Sequence, residues 1–160
     1  MQKSLLTLFF SLLVLMPLSA QKKSASGKEP LFGSKQASYQ IASNELKGAC
    51  FYLVCGHGGP DPGAIGIYQG RQLHEDEYAY DIVLRLGREL LMRGAKVHFI
   101  IQDKKDGIRG GHYLANSKRE TCMGQKIPLD QVQRLKQRCD WVDKLYKQDK
   151  GNYKRAIFVH

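Results

Sequence analysis

Residues 49–55, ACFYLVC, are apolar on both alternating sets, Phe51, Leu53 and Cys55 against Cys50, Tyr52 and Val54. Only a strand covered on both faces buries such a run, and that situation belongs to parallel sheets flanked by helices. The rest of the chain keeps to this plan. In EDEYAYDIVLRLGRELLMRG, residues 75–94, Ala79, Ile82, Val83, Leu86 and Leu90 share one helical stripe. Glu75, Asp76 and Glu77 open that helix and Gly94 follows it, which suits the helix dipole and a glycine stop. KVHFII, residues 96–101, reads as a second strand, closed by Gln102 and Asp103. Pro128 then opens a second amphipathic helix with Leu129, Val132, Leu135, Cys139, Val142 and Leu145 at helical spacing, and KRAIFVH, residues 154–160, reads as a third strand. Strands and helices in strict alternation predict an α/β fold, a three-layer sandwich whose mainly parallel sheet is flanked by helices.

Before this domain, residues 1–20, MQKSLLTLFFSLLVLMPLSA, carry one lysine, an apolar run broken by Pro17, and small residues at the end. That is the pattern of a signal peptide, too short to span a bilayer comfortably, and it predicts an exported protein with no stable membrane insertion after cleavage. Residues 21–38 are rich in Lys, Ser and Gly and read as a flexible basic linker, so the domain is expected to span 39–160. Removing residues 1–20 takes one lysine and no acid, leaving +9 of the formal charge of +10. A balance this basic favours anionic surroundings. For an exported chain that means periplasm or cell envelope and its polymers, rather than nucleic acid. Export also brings Cys50, Cys55, Cys122 and Cys139 into a compartment where disulfides persist. Cys50 and Cys55 lie an odd number apart in one strand and should face opposite sides. Of the three pairings that four cysteines allow, the two without Cys50–Cys55 stay open beside the simpler reading of four small buried apolar residues.

Residues 104–127 show neither periodicity and contain Gly107, Gly110, Gly111 and Gly124. A connection of that length is functional or mobile. With Lys104, Lys105, Arg109, Lys118 and Arg119 it reads either as a basic lip over a cleft or as a solvated insertion.

In sheets of this kind, chemistry gathers where strand C-termini meet the following loops. His57 lies just past the first strand in CGHGGPDPGAIG, His160 ends the third strand, and Glu75 opens the first helix, so all three are expected at one edge. Two imidazoles and one carboxylate are a ligand set for Zn2+ that leaves a fourth tetrahedral position open. Gly56, Gly58 and Gly59 would clear space for a metal-bound imidazole. The plainer alternative for His57 is a hydrogen-bonded structural residue in a turn. His74 is an alternative to Glu75, whereas His98 lies inside a strand pattern and His112 in the long connection.

Together, YLVCGHGGPDPGAIG, LHEDEYAYDIVLRLGRELLMRGAKV and AIFVH resemble the zinc-dependent N-acetylmuramoyl-L-alanine amidases that cleave bacterial peptidoglycan, over about residues 49–160. The resemblance implies that His57, Glu75 and His160 are zinc ligands and that the substrate is the amide joining N-acetylmuramic acid to the first alanine of the stem peptide. It also implies a general-base glutamate beyond residue 160, so the chain is expected to be the amino-terminal portion of an amidase domain, incomplete at its C-terminus. Asp61, Glu77 and Glu120 are further carboxylates able to act as a base, and no spacing argument selects among them. Two other readings are a wall-binding module without cleavage and an anion binder using the glycine-rich backbone near a helix start. Glu75, Asp76 and Glu77 at that helix start disfavour the latter.

Overall fold

The computed structural model describes residues 25–160, so the signal-peptide reading of residues 1–20 lies outside the described residues. The chain begins with β1 (Ser26–Lys28), a single 3-10 turn at Pro30–Phe32, and β2 (Ser38–Gln40), which pairs antiparallel with β1. This part of the expected linker is structured instead. Phe32 is 1 % exposed and packs edge-on against Phe99, and Leu31 and Ala37 are buried too. Three apolar side chains scattered among lysines and serines suffice to dock the segment, a signal that composition averages away.

The double-sided run forms β3 (Ala49–Cys55), buried at every position. It is the centre of a three-stranded parallel sheet, between β6 (Lys96–Phe99) on one side and β10 (Tyr153–Val159) on the other. Between β3 and β6 the chain makes the hairpin β4 (Ile65–Tyr68) and β5 (Arg71–His74), then helix α1 (Glu75–Met92). Gln69 and Gly70 turn the hairpin in the left-handed conformation, the two-residue connection that matches strand twist. Helix α1 lies on the face carrying Leu53 and Phe99, where Gly87 lets it approach both side chains closely. Its buried residues include Ala79, Tyr80, Val83, Leu84 and Gly87, while Ile82, expected on the inner stripe, is exposed.

The predicted strand 96–101 breaks. After β6, Ile100 still donates to Leu53 O at 2.9 Å, and then β7 (Ile101–Gln102) leaves the parallel sheet to pair antiparallel with β8 (Thr121–Cys122), itself paired with β9 (Gln125–Lys126). The long connection is therefore pinned at both ends. It is also tied down internally, because Arg109 pairs with Glu77 and Asp106, and Arg119 with Asp103. Two of the five cations expected in a basic lip are consumed in these internal pairs.

Helix α2 (Gln131–Gln148) is capped by Asp130, whose side chain accepts from Gln133 N at 2.8 Å. It turns inward only the C-terminal part of the stripe its apolar spacing suggests, Val142 and Leu145. Arg138 and Leu145 are buried and Trp141 and Val142 pack against the core, whereas Leu129, Val132, Leu135 and Cys139 face solvent. Tyr146 on α2 meets Tyr52 on the β3 face turned away from Leu53. The fold is thus mixed α/β around a parallel sheet. Cys50, Cys55, Cys122 and Cys139 are all free thiols, the first three buried, and burial pushes Cys55 up to about 12 and Cys122 to about 11. No described helix is long and apolar enough to cross a membrane.

Candidate metal centre

The parallel register decides what meets at the sheet edge. Strand β10 pairs with β3 through Val159 opposite Cys55, and Gly56 N donates to Val159 O at 2.9 Å, so His160 emerges level with the start of the glycine-rich turn. A Cβ at Gly56 would fall inside the His160 imidazole, so glycine at this position is what admits the ring. The next residue, His57, meets it edge to face with centroids 5.0 Å apart. Glu75 arrives from the first turn of α1, where Ala64 O accepts from its backbone N at 3.0 Å.

The three donor atoms form a nearly equilateral triangle. His57 Nε2 lies 3.2 Å from His160 Nδ1 and 3.3 Å from Glu75 Oε1, and His160 Nδ1 lies 3.4 Å from Glu75 Oε1. A tetrahedral ion bonded at about 2.0–2.1 Å sets its ligands about 3.3–3.4 Å apart, so the triangle fits Zn2+ without rearrangement. His57 and Glu75 are half-buried and His160 is more open, with 59 % of its side chain exposed, which leaves the fourth direction accessible to solvent.

Two of the three residues are also held from behind. Glu75 Oε2 accepts from Ala64 N at 2.9 Å, which reserves Oε1 for the triangle. That hydrogen bond, with His57 and His160 alongside, holds the Glu75 carboxyl below its ordinary range against a smaller opposing effect of burial. His57 Nδ1 lies 3.2 Å from Asp61 Oδ2, the carboxylate-behind-histidine arrangement that orients metal-binding imidazoles. Burial pushes the Asp61 carboxyl upward, and the hydrogen bonds of His57 and Gly63 N with the nearby Arg134 outweigh it, so Asp61 is held below its ordinary range. Asp61, considered from sequence only as a base, therefore supports a ligand. Its signal was the i, i+4 spacing from His57 across a tight turn closed by Gly58 N donating to Asp61 O.

The other expected candidates fall elsewhere. His74 is the N-cap residue of α1 and no member of the triangle. His98 stacks on Tyr52 and pairs with Asp149 at 2.9 Å, and His112 is an exposed loop residue whose carbonyl accepts from Tyr78 Oη. Glu77 and Glu120 join Asp76 in a second, fully buried acidic group beside the first. Burial, then the neighbouring Glu77 and Glu120 charges, push Asp76 up to about 7. Glu77 is pushed upward by burial even though Ser117 N and Arg109 pull the other way. Glu120 Oε2 accepts from Gly59 N at 2.9 Å and so fixes the glycine-rich turn.

No protein-family model, no curated protein and no solved structure matches this chain.

Proposed function

We propose that His57, Glu75 and His160 hold Zn2+ and that the protein is a zinc-dependent N-acetylmuramoyl-L-alanine amidase, acting on peptidoglycan in the cell envelope after export. The observation that carries this reading is the triangle of two imidazole nitrogens and one carboxylate oxygen with edges of 3.2–3.4 Å. Bound there, the ion supplies Lewis-acid polarisation of a substrate carbonyl and a water acidified towards neutral pH. The protein's own residues do the positioning. Asp61 orients His57, Ala64 N orients Glu75, and the Gly56 gap seats His160. His160, with 59 % of its side chain exposed, leaves the triangle open to solvent, and the formal charge of +9 left after residues 1–20 suits an acidic wall polymer. The proposed fold is the three-layer sandwich, with α1 against Leu53 and α2 against Tyr52 on opposite faces of β3, which supports the same family resemblance.

A second reading, a zinc-bearing module that binds the wall without cleaving it, is favoured by one observation. Each carboxylate considered as a base is engaged: Asp61 by His57 and Arg134, Glu77 by Arg109, Glu120 by Gly59 N. Incubating the purified chain with peptidoglycan separates the two. Zinc-dependent release of stem peptides, abolished in His57→Ala, supports the amidase; zinc-dependent sedimentation with the wall and no release supports the module. A chain that takes up no stoichiometric zinc refutes both.

A further inference from the structure

We propose that Arg134, on α2, is a positioning residue for the metal centre: its guanidinium fixes the Asp61 carboxylate so that His57 presents Nε2 to the other two ligands. The inference rests on the metal reading above and deepens it by making an element outside the parallel sheet responsible for ligand geometry.

Arg134 Nη2 donates to Asp61 Oδ2 at 2.9 Å, and this same oxygen lies 3.2 Å from His57 Nδ1. Asp61 Oδ1 is taken by Gly63 N at 3.3 Å. The carboxylate is thus gripped at both oxygens, by backbone on one side and by α2 on the other. With Asp61 Oδ2 standing 3.2 Å from Nδ1, the ring nitrogen left to face the other two residues is Nε2. Nε2 is the atom aimed at His160 and Glu75.

The guanidinium is itself braced. Its Nη1 donates to Leu129 O, and the Arg134 backbone N donates to Asp130 O at 3.0 Å, in the turn where Asp130 caps the helix. Arg134 O in turn accepts from Arg138 Nη1 at 3.2 Å, one turn further into the buried face of α2. With 13 % of its side chain exposed, Arg134 is a spacer locked between α2 and the turn rather than a solvated surface cation. Without Arg134 only the Gly63 N bond would hold the Asp61 carboxylate, and Oδ2 would be freer to turn away from His57 Nδ1.

The test compares the full chain with Arg134→Ala, Arg134→Lys and Gln137→Ala. Gln137 Nε2 donates to Lys126 O at 3.1 Å and so helps dock the same helix without touching Asp61. Zn2+ affinity is read by competition with a chromophoric chelator, and the His57 tautomer by NMR of the ring nitrogens in zinc-free protein. Arg134→Ala should bind Zn2+ about tenfold more weakly, at the lower end of losses for residues behind a ligand. Arg134→Lys should recover part of that, Gln137→Ala should bind as the parent does, and the Nδ1–H tautomer should dominate in the parent and become mixed in Arg134→Ala. Unchanged affinity in Arg134→Ala, or an equal loss in Gln137→Ala, overturns the proposal. If the parent takes up no Zn2+, the metal reading falls, and the ring-nitrogen spectra decide alone: an unaltered His57 tautomer in Arg134→Ala overturns the positioning role.

Discussion

Gly63 tests the metal centre more sharply than its ligands do, because replacing it leaves every ligand in the chain. It has a φ of +67°, where an L side chain is strained by about 1–2 kcal/mol. An added Cβ would stand 2.8 Å from both Glu75 Oε2 and His57 Cδ2, and 2.9 Å from Glu75 Cβ. Ordinary contact begins at 3.4 Å, so Gly63→Ala must push these two ligands away from the turn by about 0.6 Å. Zinc–ligand bonds tolerate only about 0.2 Å. The substitution should therefore lower the stability of the zinc-free protein by about 1–2 kcal/mol and weaken Zn2+ binding by about tenfold to a hundredfold. Gly124→Ala is the matched control, with a φ of +81° and open space where its Cβ would go. It should show the same loss of stability and unchanged Zn2+ affinity. Urea unfolding gives the first quantity and chelator competition the second. If Gly63→Ala and Gly124→Ala bind Zn2+ equally well, the claim that the turn and the ligands are packed to atomic contact is wrong.

Four other substitutions probe the scaffold. The Asp149 side chain is 3 % exposed and accepts from Lys96 Nζ at 2.5 Å and Tyr52 Oη at 3.0 Å, with His98 Nε2 at 2.9 Å. Burial pushes its carboxyl upward and those partners more than reverse this, so its folded value lies below the ordinary one. The resulting stabilisation is complete above about pH 4 and is lost as pH falls through the depressed value. Asp149→Asn should cost about 1–3 kcal/mol at pH 7 and flatten the acid limb of a urea-unfolding series, and an unchanged limb would place that titration elsewhere. Leu145→Ala should cost about 2–4 kcal/mol because the side chain is buried, while Leu135→Ser, on the exposed side of the same helix, should stay within about 0.5 kcal/mol in the same assay. Phe32→Ala should cost about 3–5 kcal/mol, whereas a side chain in a flexible tether would cost nothing measurable.

What could be seen in the amino-acid sequence was local. The double-sided run of β3, the acidic start of α1 and the apolar end of β10 each carry their structural reason within a few residues, and the three proposed ligands follow from where those elements end. What escaped was relational. The apolar spacing of α2 gave it a stripe but no direction, and the helix buries Arg138 with Trp141 and Leu145. KVHFII has no residue that marks its break, because β7 is drawn out of the sheet by β8, some twenty residues further on. The Arg134–Asp61 pair joins residues 73 apart, a separation at which no periodicity speaks.

Two groups of possible metal-binding side chains lie side by side at the head of α1, and they differ in what already occupies their donor atoms. Around Asp76, Glu77 and Glu120 four oxygens have protein partners: Glu77 Oε1 takes Ser117 N, Oε2 pairs with Arg109 at 2.8 Å, Glu120 Oε2 takes Gly59 N, and Asp76 Oδ1 takes Glu77 N at 3.0 Å, while Asp76 Oδ2 is buried with no hydrogen-bond partner. An ion there would compete with the partly exposed Arg109 guanidinium, and an all-carboxylate set suits Ca2+ or Mg2+ rather than Zn2+. The group works instead as a rivet, fastening the connection 103–120 and the glycine-rich turn to the first turn of the helix. At His57, Glu75 and His160 the pattern is reversed. The atoms facing one another are two imidazole nitrogens and a carboxylate oxygen, while Ala64 N donates to the far oxygen of Glu75 and Asp61 Oδ2 stands 3.2 Å from the far nitrogen of His57. The bond to Glu75 Oε2 leaves Oε1 turned towards the two imidazoles, the arrangement on which the proposed zinc site rests.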